Sequence, residues 1–209
     1  VTFSDVVREV TPVKAALRGF QHDIDALQPE GETALWDAVE LAVAKLVAFA
    51  ESERRRDPAM PRIKLRIVAL TDGEDTSSST SRAAAAKAAL AAQVTVDAIR
   101  LGPDAVGLKL AALARLTGGA VHKPEDLGEL CRVCEAPTFV AGAEDVRAQL
   151  PSTATVAQVE KKLKELDRAP RRRGVAAPAP VAQPAPVALN LDLVLATRPA
   201  RNVTHALAT

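Results

Sequence analysis

The stretch from Ile63 to Ser79 reads IKLRIVALTDGEDTSSS and decides the fold. Its apolar residues first alternate with Lys64 and Arg66 and then run unbroken to Leu70. A short apolar run rich in β-branched residues is typical of a strand buried on both faces, and such strands favour a parallel sheet. The run ends at Thr71-Asp72-Gly73, where Asp-Gly is a turn signal.

The place of Asp72 in this stretch bears on function. Its carboxylate is expected at the carboxyl end of a buried strand, where open α/β sheets bind their ligands. The acidic and hydroxyl residues from Glu74 to Ser79 then lead into an Ala-rich helix. This pattern fits a ligand site, and it fits an ordinary solvated loop between a strand and a helix.

The composition indicates one domain with an appendage. The chain has 209 residues, with four Phe, one Trp and no Tyr, so its core must be built from small aliphatic side chains. A net charge of +1 gives no reason to expect nucleic acid or an anionic membrane as a partner. No apolar run approaches the ~20 residues of a membrane span. Only two cysteines are present, which suits a reducing compartment, and we expect a cytoplasmic protein.

Strands and helices alternate along the first 140 residues. Apolar periodicity predicts strands at Val1–Phe3, Ile63–Leu70, Val94–Leu101 and Ala120–His122, and a second short strand or an edge hairpin at Val6–Val10. It predicts helices at Pro12–Leu27, Thr33–Arg56, Ser81–Gln93, Leu108–Leu116 and from Pro124 through Cys134. This alternation predicts a doubly wound α/β domain at residues 1–140, with a mostly parallel sheet and helices on both faces.

Two local features of these helices have more than one interpretation. Thr33 is a reasonable N-cap for the helix that follows it. The helix dipole would stabilise the carboxylate of Asp37 in the first turn. Cys131 and Cys134 form a C-x-x-C pair, but no second Cys or His pair lies at the spacing of a zinc site. We therefore expect these two cysteines to be buried helix residues.

The C-terminal region has a different character. Residues 141–170 are expected to form a helical extension, because Val156, Val159, Leu163 and Leu166 make one apolar stripe. Residues 171–209 are a tail rich in Pro and Ala, expected to be flexible and unpacked because it buries too little apolar surface to offset chain entropy. Within the tail, Leu189–Leu195 (LNLDLVL) alternates strictly and could be a strand that pairs with another segment.

Three motifs together resemble the von Willebrand factor type A (vWA) family. Phe3-Ser4-Asp5 is similar to the end of the second strand of that family, and Gly31–Ala38 is similar to its G-x-T-x-L-x-D-A helix start. Leu70–Asp75 resembles its T-D-G loop, and Val96–Gly102 and Leu113–Gly119 resemble its last strand and helix. The resemblance covers about residues 1–140.

The resemblance implies a protein-binding module. In the family, hydroxyl and carboxylate groups at the carboxyl edge of the sheet hold a divalent metal, and an Asp or Glu of a partner protein fills its open position. Thr33 and Asp72 would be metal ligands here, for Mg²⁺ or alternatively Mn²⁺ or Ca²⁺. No G-x-G-x-x-G, Walker loop or G-x-S-x-G motif is present, so we expect no enzyme and no catalytic residue. The alternative is a metal-independent scaffold in a multidomain intracellular protein, of the ubiquitin pathway or of trafficking.

One family motif is missing. The D-x-S-x-S that follows the first strand of the family, and supplies most of the metal ligands, does not occur. We therefore expect a chain truncated at its N-terminus, in which any metal binding is weak or absent. In the family that first strand lies between the strands ending at Asp5 and Asp72. Its place should be either vacant or filled by another segment, and Leu189–Leu195 is the candidate.

Overall fold

The structure, a computed structural model, describes residues 1–10, 31–60, 63–71, 74–101, 107–135, 150–168 and 190–197. The predicted helix Pro12–Leu27 and the turn residues Asp72 and Gly73 lie outside the described residues. None of the described helices combines the length and apolarity needed to cross a membrane.

The described elements alternate as the periodicity predicts. The strands are β1 Thr2–Phe3, β2 Val7–Arg8, β3 Lys64–Thr71, β4 Thr95–Arg100, β5 Val121–His122 and β6 Asn190–Thr197. The helices are α1 Leu35–Arg56, α2 Arg82–Ala91, α3 Leu108–Thr117, α4 Leu127–Glu135 and α5 Val156–Arg168. The α/β class is therefore confirmed, and Cys131 and Cys134 lie in a helix as expected.

The strands form one sheet in the order β2-β1-β6-β3-β4-β5. All neighbouring pairs are parallel except β1 with β2, which form an antiparallel edge. The longest ladders flank β3: one runs with β4 from Arg66 to Thr71, and the other runs with β6 from Lys64 to Leu70. The carboxyl ends of β1, β3 and β6 consequently meet at one edge of the sheet.

The place between β1 and β3 is filled by β6. Asn190 pairs with Lys64 and Ala196 with Leu70, while Thr197 pairs with Phe3 on the other side. The prediction that the alternating segment could fill this place is confirmed. The expectation that the whole chain beyond Arg171 is unpacked is wrong for Asn190–Thr197, because the strand satisfies backbone N–H and C=O groups that its two neighbours would otherwise leave without partners.

The main core lies between the sheet and four helices. It contains buried residues of α1, α2, α3 and α5 together with Leu65, Ile67 and Ala69 of β3. The small side chains of α2, an almost pure alanine helix, let it lie close to its neighbours. Helix α5 packs on α2 and α3, with Val159 and Leu163 fully buried, so the apolar stripe of the expected extension belongs to the main core.

A second, smaller cluster involves α4. Val133 of α4 packs with Val68 of β3 and Ile99 of β4, apart from the main core. Because successive side chains of a strand point to opposite faces, neighbours such as Ile67 and Val68 contribute to different clusters.

A buried ion pair crosses from β3 to β4 beside this second cluster. Arg66 is 2% exposed and Asp97 is 3% exposed. Arg66 Nε donates to Asp97 Oδ2 at 2.6 Å, and Arg66 Nη2 donates to the carbonyl oxygen of Val133 at 3.2 Å. The second carboxylate oxygen of Asp97 accepts from the N–H of Ala120 at 2.7 Å. One buried carboxylate therefore joins β3, β4 and the start of β5, and Arg66 ties them to α4.

Local signals set the ends of two helices. Ser81 caps α2, because its hydroxyl accepts a hydrogen bond from the N–H of Ala84 at 3.2 Å. Gly118 ends α3 with a φ of 77°, a left-handed conformation that glycine adopts without a steric penalty.

Candidate functional site at the carboxyl edge of the sheet

Three segments meet at the carboxyl edge of the sheet: the turn after β1, the segment before α1 and the loop before α2. The N–H of Ala34 donates to the carbonyl oxygen of Ser4 at 2.7 Å. The N–H groups of Thr76 and Ser77 both donate to the carbonyl oxygen of Thr33, at 2.9 and 3.2 Å. Backbone hydrogen bonds therefore hold the segment before α1 between the other two segments.

Thr33 lies at the centre of this arrangement but does not cap the helix. Its N–H donates to the hydroxyl oxygen of Thr76 at 3.0 Å. The helix begins at Leu35, its N-cap position is Ala34, and no side chain of the N-cap residue makes a capping bond. The interpretation of Thr33 as the N-cap is therefore wrong. Among the described residues, the Thr33 hydroxyl has no hydrogen-bond partner and is half-buried.

The first N–H groups of α1 are capped from the loop before α2. Asp75 Oδ1 accepts from the N–H of Leu35 at 2.8 Å, across a sequence separation of 40 residues. Ser78 Oγ accepts from the N–H of Trp36 at 2.9 Å and itself donates to Asp75 Oδ1. These N–H groups have no partner within the helix, so a distant carboxylate and hydroxyl satisfy them. This capping leaves the Thr33 hydroxyl free of that role.

Asp37 makes the reciprocal connection from helix to loop. Its carboxylate accepts from the N–H of Ser79 at 2.9 Å and from the N–H of Thr80 at 2.7 Å. Burial on its own would raise the pKa of the Asp37 carboxyl, but hydrogen bonds from Ser79 and Thr80 outweigh it and hold the pKa below its ordinary value. The loop and the start of α1 therefore fix each other.

Asp5 is an exposed carboxylate at this edge. It accepts a hydrogen bond from the hydroxyl of Ser4 at 3.0 Å. Gly31 lies against it with a φ of +68°, and a Cβ atom at Gly31 would clash with the Asp5 carboxylate. Glycine at this position therefore allows the segment before α1 to approach the turn after β1 closely.

The residues at the edge were only partly identifiable from the sequence. The structure places Thr33 at the junction of the three segments, whereas Asp72 lies outside the described residues, so the pairing of Thr33 with Asp72 stays a prediction. The capping roles of Asp75 and Ser78 were missed. The available signal was the run of acidic and hydroxyl residues, combined with an α1 start that contains no effective cap of its own.

The oxygen atoms of the described residues do not form a set of ligands that would hold a divalent metal tightly. Asp75 and Ser78 already accept from the N–H groups of α1, and the described residues contain no cluster of three or more His, Cys, Asp or Glu suited to a metal. Strand β6, which fills the place between β1 and β3, ends at Thr197. The sequence continues with Arg198 and contains no carboxylate side chain from there to Thr209. A D-x-S-x-S motif does not follow the strand that fills this place.

A second group of ionisable residues surrounds the buried ion pair. Burial lowers the pKa of the His122 imidazole, Asp97 acts to raise it and Arg66 acts to lower it again, with a net decrease below the ordinary value. Asp97 and Arg66 satisfy each other and nearby backbone groups. The geometry of this group is that of a structural junction between β3, β4 and α4.

Comparison of the chain with family models, with curated proteins and with solved structures finds no match.

Proposed function

We propose that the chain is a protein-binding module of the vWA type, whose contact surface is the carboxyl edge of the sheet and whose contacts do not require a metal. The observation that carries this proposal is the reciprocal bonding of Asp75 and Asp37 between the loop and α1. A loop held in one conformation loses less entropy when a partner binds, and this pre-organisation favours recognition.

The fold we propose for this module is the doubly wound arrangement. The main core includes α1, α2, α3 and α5, and Val133 of α4 belongs to a separate cluster with Val68 and Ile99. Alternating side chains of β3 contribute to the two clusters. This division supports helices on both faces of the sheet.

The charge of the edge indicates the chemistry of the partner. Asp5 is exposed, and Glu74 lies half-exposed with Lys109 as its neighbour at 3.6 Å. Lys109 offsets the charge of Glu74, so in the absence of a metal the Asp5 carboxylate is the charge that repels an acidic partner and favours a basic one. Hydroxyl groups such as that of Thr33 would add hydrogen bonds to the same partner.

The second candidate function is metal-assisted binding of an acidic partner. The unpartnered hydroxyl of Thr33, among the described residues, is the observation that favours it. Thr33 and Asp72 would be the protein ligands of Mg²⁺ or Mn²⁺. Two ligands leave most of the coordination to water, so we expect affinity for the free ion in the millimolar range at best.

Calorimetric titration of the full chain with MgCl₂ and MnCl₂ separates the two candidates. We expect the wild-type chain to show no saturable binding of either ion at concentrations up to about 10 mM. Thr33→Val is the test variant, and Thr153→Val, which changes an exposed threonine of the turn before α5, is the matched control. Saturable binding in the millimolar range or tighter, lost in Thr33→Val and retained in Thr153→Val, would establish the metal-assisted function instead.

Binding to immobilised peptides tests the protein-binding proposal itself. We expect a set of Lys-rich peptides to retain the chain in the presence of EDTA, and Asp5→Asn to weaken retention several-fold. Glu-rich peptides of equal length are the control. Retention on the acidic set that requires added Mg²⁺ would overturn the proposed metal-free mode, and equal retention of wild type and Asp5→Asn on every peptide would exclude this edge as the surface.

A further inference from the structure

We propose that β6 is an exchangeable strand, and that the place it fills between β1 and β3 also accepts β6 from a second copy of this chain. The product would be a dimer in which each sheet is completed by the strand of its partner. We call this place the β6 slot. The inference concerns assembly and does not depend on the proposed binding function.

The β6 slot recognises its strand through the backbone on both sides. Seven residues of β3, from Lys64 to Leu70, pair with β6, and Thr2 and Phe3 of β1 pair with Ala196 and Thr197. These are parallel ladders of main-chain hydrogen bonds, which would be identical for a strand from the same chain or from a second copy. Vacating the slot would leave the N–H and C=O groups on both sides without partners.

The route of the chain into the slot is long. Helix α5 ends beside Arg82, whose guanidinium donates two hydrogen bonds to Asp167 at 2.9 and 2.7 Å. Arg82 is the first residue of α2 and directly follows the loop at the carboxyl edge. Strand β6 is parallel to β3, so it begins at the opposite edge, where Asn190 pairs with Lys64. The connection must therefore cover at least the length of β3, about 25 Å.

The connecting sequence is longer than this route requires. About 20 residues lie between Arg168 and Asn190, and an extended segment of that length spans up to ~70 Å. Such a tether reaches the slot of its own chain and the slot of a neighbouring copy. A tether of this length gives an effective concentration in the millimolar range, so closure within one chain prevails in dilute solution. Exchange should take over when the tether is too short to reach its own slot.

Shortening the connection tests this directly. Deleting residues 174–187 leaves a reach of about 25 Å, with no length for passing around α5. We expect the shortened chain to form a dimer, whereas a chain with those residues replaced by Gly and Ser at equal length stays monomeric. Light scattering coupled to gel filtration measures the mass.

A disulfide identifies which chain supplies the strand. Leu70 and Ala196 are paired in the register, and the spacing of neighbouring strands suits a disulfide, so both are changed to Cys in a Cys131→Ser, Cys134→Ser background. We expect a cross-link within one chain at full tether length and between two chains in the shortened form. A shortened chain that remains monomeric with an internal cross-link would overturn the proposal.

A second measurement covers the case in which the shortened chain does not fold. In the same Cys131→Ser, Cys134→Ser background, full-length chains with Leu70→Cys are mixed with chains with Ala196→Cys, unfolded in urea and refolded together at increasing protein concentration. We expect a cross-linked heterodimer whose yield rises with concentration. The control pairs Leu70→Cys with Asn190→Cys, at opposite ends of the ladder. A yield no higher than that of the control at every concentration would refute exchange.

Discussion

Strand β3 has a parallel partner on each side, and the two sides are built in different ways. On one side β4 pairs along six residues and follows β3 after a single helix crossover. On the other side β6 pairs along seven residues, although it comes from the far end of the chain. Both ladders are parallel. The two sides therefore differ in how far along the chain each strand lies from β3, and not in the type of pairing.

The β4 side has a side-chain anchor in addition to its ladder. Asp97 binds Arg66 across the two strands and also binds the N–H of Ala120, with both charged groups almost fully buried. A shift of β4 by one residue would turn Asp97 to the other face of the sheet and leave Arg66 without its counter-charge. We infer that this pair fixes the register of β4, in addition to the backbone ladder that both sides share.

The largest effect should come from breaking the anchor on the β4 side. Asp97→Asn leaves the Arg66 guanidinium buried without a counter-charge, and we expect the free energy of unfolding to fall by about 3–5 kcal/mol. Urea unfolding followed by circular dichroism measures it. The control is the double variant Arg66→Met with Asp97→Leu, which removes both charges and should lose much less. Equal losses in the two variants would mean that packing at this position matters more than charge.

Proline in β6 should have an intermediate effect. Successive N–H groups of a strand point to opposite neighbours, so either Leu193 or Val194 donates to β3, and the proline that removes this donor should cost about 1–3 kcal/mol. If β6 leaves the sheet while β4 stays folded, as the exchange proposal requires, the loss cannot exceed the free energy of docking β6. Hydrogen exchange should speed up in β3 and stay slow in β4. Ala182→Pro, between α5 and β6, is the control, and equal acceleration in both strands would contradict independent attachment.

The helix caps offer a finer version of the same comparison. Helix α1 packs against β1, β6 and β3 and is capped by Asp75 from a distant loop, whereas α2 packs against α1 and α3 and is capped by its own Ser81. We expect Asp75→Ala to cost about 1–2 kcal/mol and Ser81→Ala about 1 kcal/mol. Asp75→Ala alone should also raise hydrogen exchange in β3. Thermal unfolding and exchange measure both, and identical exchange in the two variants would mean that the distant cap does not support the β6 side.

The smallest effect concerns pH and the β4 side alone. The pKa of His122 in the folded chain is lowered, chiefly by burial, from an ordinary value of 6.5. The unfolded chain therefore takes up its proton first as the pH falls, so stability is full above 6.5 and decreases between 6.5 and the lowered folded pKa. In His122→Gln, the urea midpoint of unfolding should change less with pH over this range. If the variant shows the same dependence of the urea midpoint on pH, other ionisable groups cause that dependence.

The sequence was most informative where structure is determined locally. The apolar run of β3 and the helical periodicity of Ser81–Gln93 and Leu108–Leu116 each predicted an element that the structure confirms. The strict alternation of Leu189–Leu195 also identified the strand that fills the β6 slot, because a gap in the expected sheet required an occupant. Element types and one long-range pairing were therefore predictable.

What the sequence did not reveal depends on contacts between distant residues. Thr33 has the side chain of an N-cap, but Asp75 reaches the helix start from 40 residues away and no local pattern records that. Arg66 is part of an alternating pattern that would suit an exposed face, and it is buried because Asp97 faces it from the next strand. The stripe of α5 showed which face of the helix is apolar but not that the face rests on α2 and α3.

Because both outer strands are short, β6 has a role in protecting the chain from aggregation. The described sheet ends in β2 on one side and β5 on the other, each only two residues long, so it offers other molecules little edge for pairing. Whenever β6 leaves, the eight residues of β3 become the edge, and their sequence KLRIVALT is rich in residues that favour cross-β stacking. The occupancy of one central strand would therefore set how readily this chain aggregates, with the exposed Lys64 as a charge that opposes it.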